Sequence, residues 1–358
     1  MRKITYLGLF VVLMFGLVGY TLPSAINQSQ NYTVWVGAED VSNAVSIATF
    51  FPQDVSIHVG DSITWQANSH EIHTVSFLAG EDMPEFIIPA PPDMDSPLQI
   101  NPLAAFPTPT DGNYDGSTYM NSGIISTDPG MVQSFTLTFT QEGTFPYVCI
   151  VHGVMMSGTI EVVGSDVPVM TPTQVQAQAE AEMEAAWNQV PPVLASAKAQ
   201  TVPPTKNPDG TFTRTIILGY ESGPIMVMGF FPNHMVVFPG DTVLWKLSAT
   251  DMAPHTVTFY NGAPDQPLVI VEQGQNGPVA LVNPAVLFPS QAVIDGEALN
   301  NTDYFNSGFL LPGGEEQFSL KIGETSGILD YECILHDTSG MTASLTVVHR
   351  MFMPAISR

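Results

Sequence analysis

A chain of 358 residues with 44% hydrophobic and only 12% charged residues is long enough to bury two cores of ordinary domain size. Its 34 acidic against 9 basic residues give a formal charge of -25, which argues against nucleic acid as a ligand, since binding phosphate requires cationic patches. A count of two cysteines in all is compatible with an exported domain, since one of this size needs no disulfides.

The chain opens with Arg2-Lys3, an apolar run from Ile4 to Tyr20 and then Pro23-Ser24-Ala25. Residues 1–25 therefore have the charge-then-apolar layout of an export signal. The run also approaches spanning length, so an uncleaved membrane anchor is the alternative. In either case the basic residues stay inside and the remainder is sent out. The expected location is periplasmic, extracellular or on the outer side of the cytoplasmic membrane. No cysteine in this segment offers a site for a lipid.

From 31 to 165, short runs alternate apolar and polar residues at period two, as in Val55-Ser-Ile57, Phe135-Thr-Leu-Thr-Phe139 and Thr159-Ile-Glu-Val162. Separated by Gly, Pro and Asp, such runs predict half-buried strands of an all-β sandwich or barrel. Gly60-Asp61 reads as a turn. The stretch 79–118 is long, Pro-rich and acidic.

Residues 166–208 form a linker of different composition. Thr171 is a candidate N-cap, Pro172 takes the first helical position and strong helix formers run to Trp187. One helix is expected, ended by Pro191-Pro192, with Val175, Ala179, Met183 and Ala186 on one face. Pro203-Pro204 stiffens the exit.

Between 209 and 350 the strand pattern returns in Phe318-Ser-Leu-Lys-Ile322 and Ser344-Leu-Thr-Val347, and residues 351–358 form a tail. The two halves share more than periodicity. Phe51-Pro52 matches Phe231-Pro232, Gly60-Asp61 matches Gly240-Asp241, and Trp65 matches Trp245. Asn101-Pro102 and Phe106-Pro107 match Asn283-Pro284 and Phe288-Pro289, while Asn121-Ser-Gly123 matches Asn306-Ser-Gly308. Because the shared anchors lie in or beside the long stretches 79–118 and 261–303, both stretches are expected to be ordered.

The repeat also carries chemistry. The first half has His73-Thr-Val-Ser-Phe, then Cys149-Ile-Val-His152-Gly-Val-Met155-Met156, and the second has His255-Thr-Val-Thr-Phe, then Cys333-Ile-Leu-His336 with Met341 after it. One thiolate, two imidazoles and a weak axial thioether make the soft trigonal set that holds copper for electron transfer. Cys, His and Met arrive on one loop. The other His arrives from a distant strand, so only a folded domain assembles the set.

On these residues the chain resembles the cupredoxins, the plastocyanin and amicyanin group in particular, over most of both halves. The resemblance implies two tandem Greek-key β-sandwiches, each with one type 1 copper and one ligand histidine exposed as an electron port. By position the ligands are His73, Cys149, His152 and Met156 in the first half, and His255, Cys333, His336 and Met341 in the second. Met155 competes with Met156, and the Met156-Ser-Gly158 register favours the latter. Thr74 and Thr256 stand where plastocyanins carry Asn.

An exported blue copper protein carrying electrons between redox partners is the leading expectation, with basic docking surfaces favoured on those partners by the chain's acidity. Two readings compete with it. A two-domain copper oxidase or nitrite reductase would need extra imidazoles, yet Val148 and Glu332 precede the cysteines, no His-x-His occurs, and His58, His70, His234 and His349 are scattered. A copper buffering or delivery protein is suggested by 17 methionines, including Met226-x-Met228 and Met351-x-Met353. Unequal loops and the Val148/Glu332 difference predict unequal potentials.

Overall fold

The computed structural model describes residues 29–275 and 277–349. The segment 1–25 and the Met351-x-Met353 pair lie outside the described residues. Among the described residues, no helix is long and apolar enough to cross a membrane.

The period-two runs become two sandwiches. One sheet of the first half is ordered Val45–Phe51, Asn31–Asp40, Ser62–Ala67, Ser134–Phe139, Asn113–Tyr114, and the facing sheet Asp54–His58, Gly153–Val163, Gly143–Cys149, Ser76–Phe77, Met120–Asn121. In the second half the order recurs as Phe212–Leu218, Thr242–Leu247, Gln317–Lys321 against His234–Val237, Thr342–Val347, Gly327–Glu332, Thr258–Phe259, Phe305–Asn306. Parallel pairs recur as well: Asn31–Asp40 lies on Ser62–Ala67 as Phe212–Leu218 lies on Thr242–Leu247. Parallel neighbours need a crossover connection, so the chain passes between sheets in both halves.

Inward positions of facing strands fill each core with the same aromatic group. Trp65 meets Phe77 at 5.6 Å and Tyr147 at 5.4 Å, while Trp245 meets Phe259 at 5.8 Å and Tyr331 at 5.7 Å, in edge-on arrangements that favour ring quadrupoles. The Gly-Asp turns do more than reverse the chain. Asp61 accepts hydrogen bonds from the backbone N–H groups of Gln30 and His58, and Asp241 from those of Phe212 and Phe238. Each buried carboxylate thereby ties the entry of the first strand to the turn.

The linker departs from expectation. It forms two helices, Pro172–Trp187 and Val190–Lys198, because Pro191 and Pro192 fall in the first turn of the second helix, where a missing N–H costs nothing. Thr171 and Gln174 close a capping box at the start. Val175 and Ala179 are buried, with Met183 and Ala186 packed alongside the core that Val45, Ile47 and Phe51 share with Ile225, Val227 and Phe231. That core belongs to both halves.

Further joints reinforce it. The hairpin of Glu221–Ser222 and Ile225–Val227 extends the first half's sheet by pairing with Val45–Phe51. The described residues of the Pro-rich stretches are ordered, and the stretches meet: Ile87–Pro89 and Leu98–Ile100 form one four-stranded sheet with Val269–Gly274 and Gly277–Val282, joined at Gln99 and Leu281. Beside Met341, Gly340 approaches the first half so closely that a Cβ would lie 2.2 Å from the Val41 carbonyl oxygen.

Candidate metal centres

Each half gathers its two predicted histidines and its cysteine into one group. Cys149 ends the strand Gly143–Cys149, and Cys333 follows the strand Gly327–Glu332. In the first half Cys149 Sγ lies 4.0 Å from His73 Nδ1 and 3.4 Å from His152 Nδ1. The second half places Cys333 Sγ 3.6 Å from His255 Nδ1 and 3.5 Å from His336 Nδ1. Among the described residues these are the two groups of His, Cys and carboxylate side chains close enough to share an ion. Met156 and Met341 are fully buried in the same core as the cysteines, whereas Met155 is 59% exposed.

Threonine organises both loops. The Thr74 and Thr256 amides each donate to their cysteine sulfur at 3.3 Å, and their hydroxyls accept from the Ile150 and Ile334 amides at 2.8 and 2.9 Å. Position after the histidine thus clamps the cysteine loop from both sides. Behind it, Ser76 and Thr258 donate to the side-chain oxygens of Asn121 and Asn306. Those asparagines donate in turn to the last carbonyls of the short helices Pro102–Ala105 and Pro284–Leu287. Gly123 and Gly308, at φ 68° and 70°, pack so tightly on Pro107 and Pro289 that a Cβ would lie within 2.8 Å of the proline nitrogen. The repeated Asn-Ser-Gly, Asn-Pro and Phe-Pro signatures are the scaffold behind the donor set.

Residues that sequence reasoning missed hold the far nitrogens of the upstream imidazoles. His73 Nε2 pairs with Ser69 Oγ at 3.0 Å, and His255 Nε2 with Asp251 Oδ2 at 2.7 Å. Gly37 and Gly219, both at positive φ, leave the room these pairs occupy: a Cβ on Gly219 would sit 1.4 Å from Asp251 Oδ2. Because the two partners differ in type, no repeated motif signals them. The i−4 spacing from each histidine was the available cue.

Their electrostatics differ accordingly. Burial pushes the Cys149 thiol up and lowers His152 to about 4, and it holds His73 well below its ordinary range. In the second centre burial would also lower His255, but the Asp251 charge and hydrogen bond outweigh it and raise His255 to about 10. Burial opposes ionisation of Cys333 as well, yet the charges of His336 and His255 hold its thiol well below the usual value.

The port histidines are not exposed. Only 11% of the His152 side chain and 6% of that of His336 meets solvent. The cause is the packing of the halves: both rings line a cavity of about 770 Å³ between them, with Glu71, Met155, Glu221 and Met252. Glu71 stands between the rings, Oε1 3.9 Å from His152 Nε2 and Oε2 3.9 Å from His336 Nε2.

The remaining histidines stay outside both groups. His58 contacts the Val167 carbonyl, His70 contacts Glu39, His234 contacts Ser344, and His349 is exposed. Met226 and Met228 are buried in the core and also line the cavity between the halves.

Residues 39–163 match the family described as copper binding proteins, plastocyanin/azurin family. Over those residues this half is similar to that copper-binding family. The second half repeats its strand order and its donor set, so the chain is a pair of cupredoxin-like sandwiches. Among solved structures, a Cu(I) mutant amicyanin is 18% identical over 37% of this chain and 82% of its own, with a TM-score of 0.23. A second Cu(I) amicyanin mutant is 18% identical over 42% of this chain and 90% of its own, TM-score 0.23. Oxidised plastocyanin from Dryopteris crassirhizoma is 18% identical over 37% of this chain and 99% of its own, TM-score 0.22. No curated protein matches the sequence.

The donor chemistry of both cupredoxin centres fits copper. Each offers one sulfur and two imidazole nitrogens within reach of a single ion, with the sulfur fully buried and an amide N–H already aimed at it.

Proposed function

We propose that this chain is an exported two-centre blue copper protein that carries single electrons between redox partners. His73, Cys149, His152 and Met156 would hold one copper, and His255, Cys333, His336 and Met341 the other. When bound, copper supplies a one-electron couple between Cu(I) and Cu(II). The observation that carries the reading is the recurrence of one buried Cys/His/His group in each half, clamped by the same threonine hydrogen bonds.

The chain's own residues provide what such a couple needs. Amide donation from Thr74 and Thr256 stabilises the thiolate form of each cysteine. Both cysteines and both upstream histidines are almost completely buried, so their geometry is fixed by packing and changes little as charge comes and goes. Met156 is favoured over Met155 because it shares the core of Cys149, while Met155 points to the cavity and solvent. Acidic surface charge favours cationic partners.

Metal analysis with visible spectroscopy tests the assignment. The full chain should hold about two coppers and show an intense thiolate-to-copper band, of which Cys149→Ser and Cys333→Ser each remove about half. A band that survives intact in either variant removes that cysteine from the site. Copper clearly above two per chain, with turnover of oxygen or nitrite, would select an oxidase or reductase instead. Loss of copper to an acceptor during redox cycling would select a delivery protein.

A further inference from the structure

The duplication supplies an internal control, because the contacts on the two sulfurs are alike while those on the upstream imidazoles are not. Thr74 and Thr256 donate to sulfur at the same 3.3 Å, and both thiols are buried. The far nitrogen of His73 meets the neutral hydroxyl of Ser69, whereas that of His255 meets the carboxylate of Asp251, which is 3% exposed. A carboxylate accepting the ring N–H raises the basicity of the other nitrogen and favours the higher oxidation state of a bound metal. A hydroxyl does so far less. Neighbouring charge points the same way: Glu332 precedes Cys333 where Val148 precedes Cys149, and Asp337 follows His336 where Gly153 follows His152.

Geometry then links the unequal centres. His152 and His336 turn their outer nitrogens towards the same buried carboxylate, Glu71, each at 3.9 Å, and neither ring is open to a protein partner. Glu71 belongs to the first half, on the segment leading to His73, yet it reaches the second half's histidine.

We propose that the two centres form a directional pair: Asp251 gives the second centre the lower potential, and its electron passes to the first centre across the Glu71 carboxylate. The proposal rests on the copper reading above. With copper bound at both, one electron would leave the second centre, taking its metal from Cu(I) to Cu(II), and would be accepted at the first, from Cu(II) to Cu(I). No bond or proton moves, and no other reactant is consumed. Asp251 and Glu71 are positioning residues that act through His255 and through the His152/His336 pair.

The test uses the copper-loaded full chain, titrated by visible absorption and electron paramagnetic resonance. Cys149→Ser leaves the second centre alone and Cys333→Ser the first, so each potential is read separately. The second should be the lower. Asp251→Asn should raise it without moving the first, and Ser69→Asp should lower the first without moving the second. After rapid photoreduction, Glu71→Ala should slow electron transfer between the centres by about an order of magnitude while both bands persist, and Glu71→Gln should retain more of the rate. Equal potentials, a higher second potential, or a rate unchanged in Glu71→Ala would overturn the proposal. A colourless protein would instead overturn the copper reading on which it rests.

Discussion

Among single residues, Glu221 shows how the joint between the halves responds to pH. It sits on the hairpin that crosses to the first half and lines the cavity. Burial and then the charge of Asp251 push its carboxyl up to about 7. Between the ordinary carboxylate range and that value, the folded protein keeps a proton that the unfolded chain has released, so stability falls as pH rises through this window. Above it both states are ionised and the penalty is constant. Glu221→Gln should therefore raise the melting temperature at about pH 8 and leave it nearly unchanged at about pH 4. An equal difference at both pH values would count against this sign. Residues of this kind, Glu71 among them, were invisible in the sequence because each acts on a group brought near only by folding, and for Ser69 and Asp251 the one cue was their shared i−4 spacing from a histidine. The six cysteines and histidines that gather in the two groups were legible for the opposite reason. Cysteine, histidine and methionine in a repeated order carry their chemistry in the residue type, whatever surrounds them.

At the level of elements, the short helices Pro102–Ala105 and Pro284–Leu287 illustrate what a repeated motif means. Each is a single turn that cannot satisfy its own last carbonyls. The buried Asn121 side chain donates to three of them, on Leu103, Ala104 and Phe106, and Asn306 repeats the arrangement with Ala285, Val286 and Phe288. Asn121→Ala would leave buried acceptors unpaired and release the Ser76–Thr74 chain that ends at the cysteine loop. A loss of about 2 kcal/mol is expected in denaturant unfolding, together with a shift in the spectrum of the first centre alone. A variant as stable as the parent would show that water replaces the amide without cost. The anchors made the order of the long stretches legible from sequence. Their pairing across the two halves at Gln99 and Leu281 was not, since strand partners distant in sequence leave no local pattern. The prolines at 191 and 192 misled for a local reason: the same ring that ends one helix is suited to the first turn of the next.

For the whole molecule, the joints turn two domains into one body with its two candidate metal centres facing inward. A shared sheet, a shared core and the linker helices fix the halves together, and the cavity between them brings His152 and His336 to a common wall. In the proposed copper-loaded chain this arrangement would keep protein partners from touching either ring directly, and small reductants would approach through the cavity. Its charge should then govern their rates. The chain carries -25 overall, and the cavity is lined by Glu71, Asp128, Glu221, Asp265 and Asp337 with no lysine or arginine among its wall residues. Carboxylates in a low-dielectric cleft focus the field and concentrate cations at its mouth. A cationic metal complex should reduce the oxidised protein faster than an anionic complex of similar driving force. The advantage should shrink as added salt shortens the screening length to below about 10 Å. Stopped-flow bleaching of the visible band across a salt series measures both effects. If the anionic reductant is as fast, or the ratio ignores salt, electrons enter by a surface remote from this cavity.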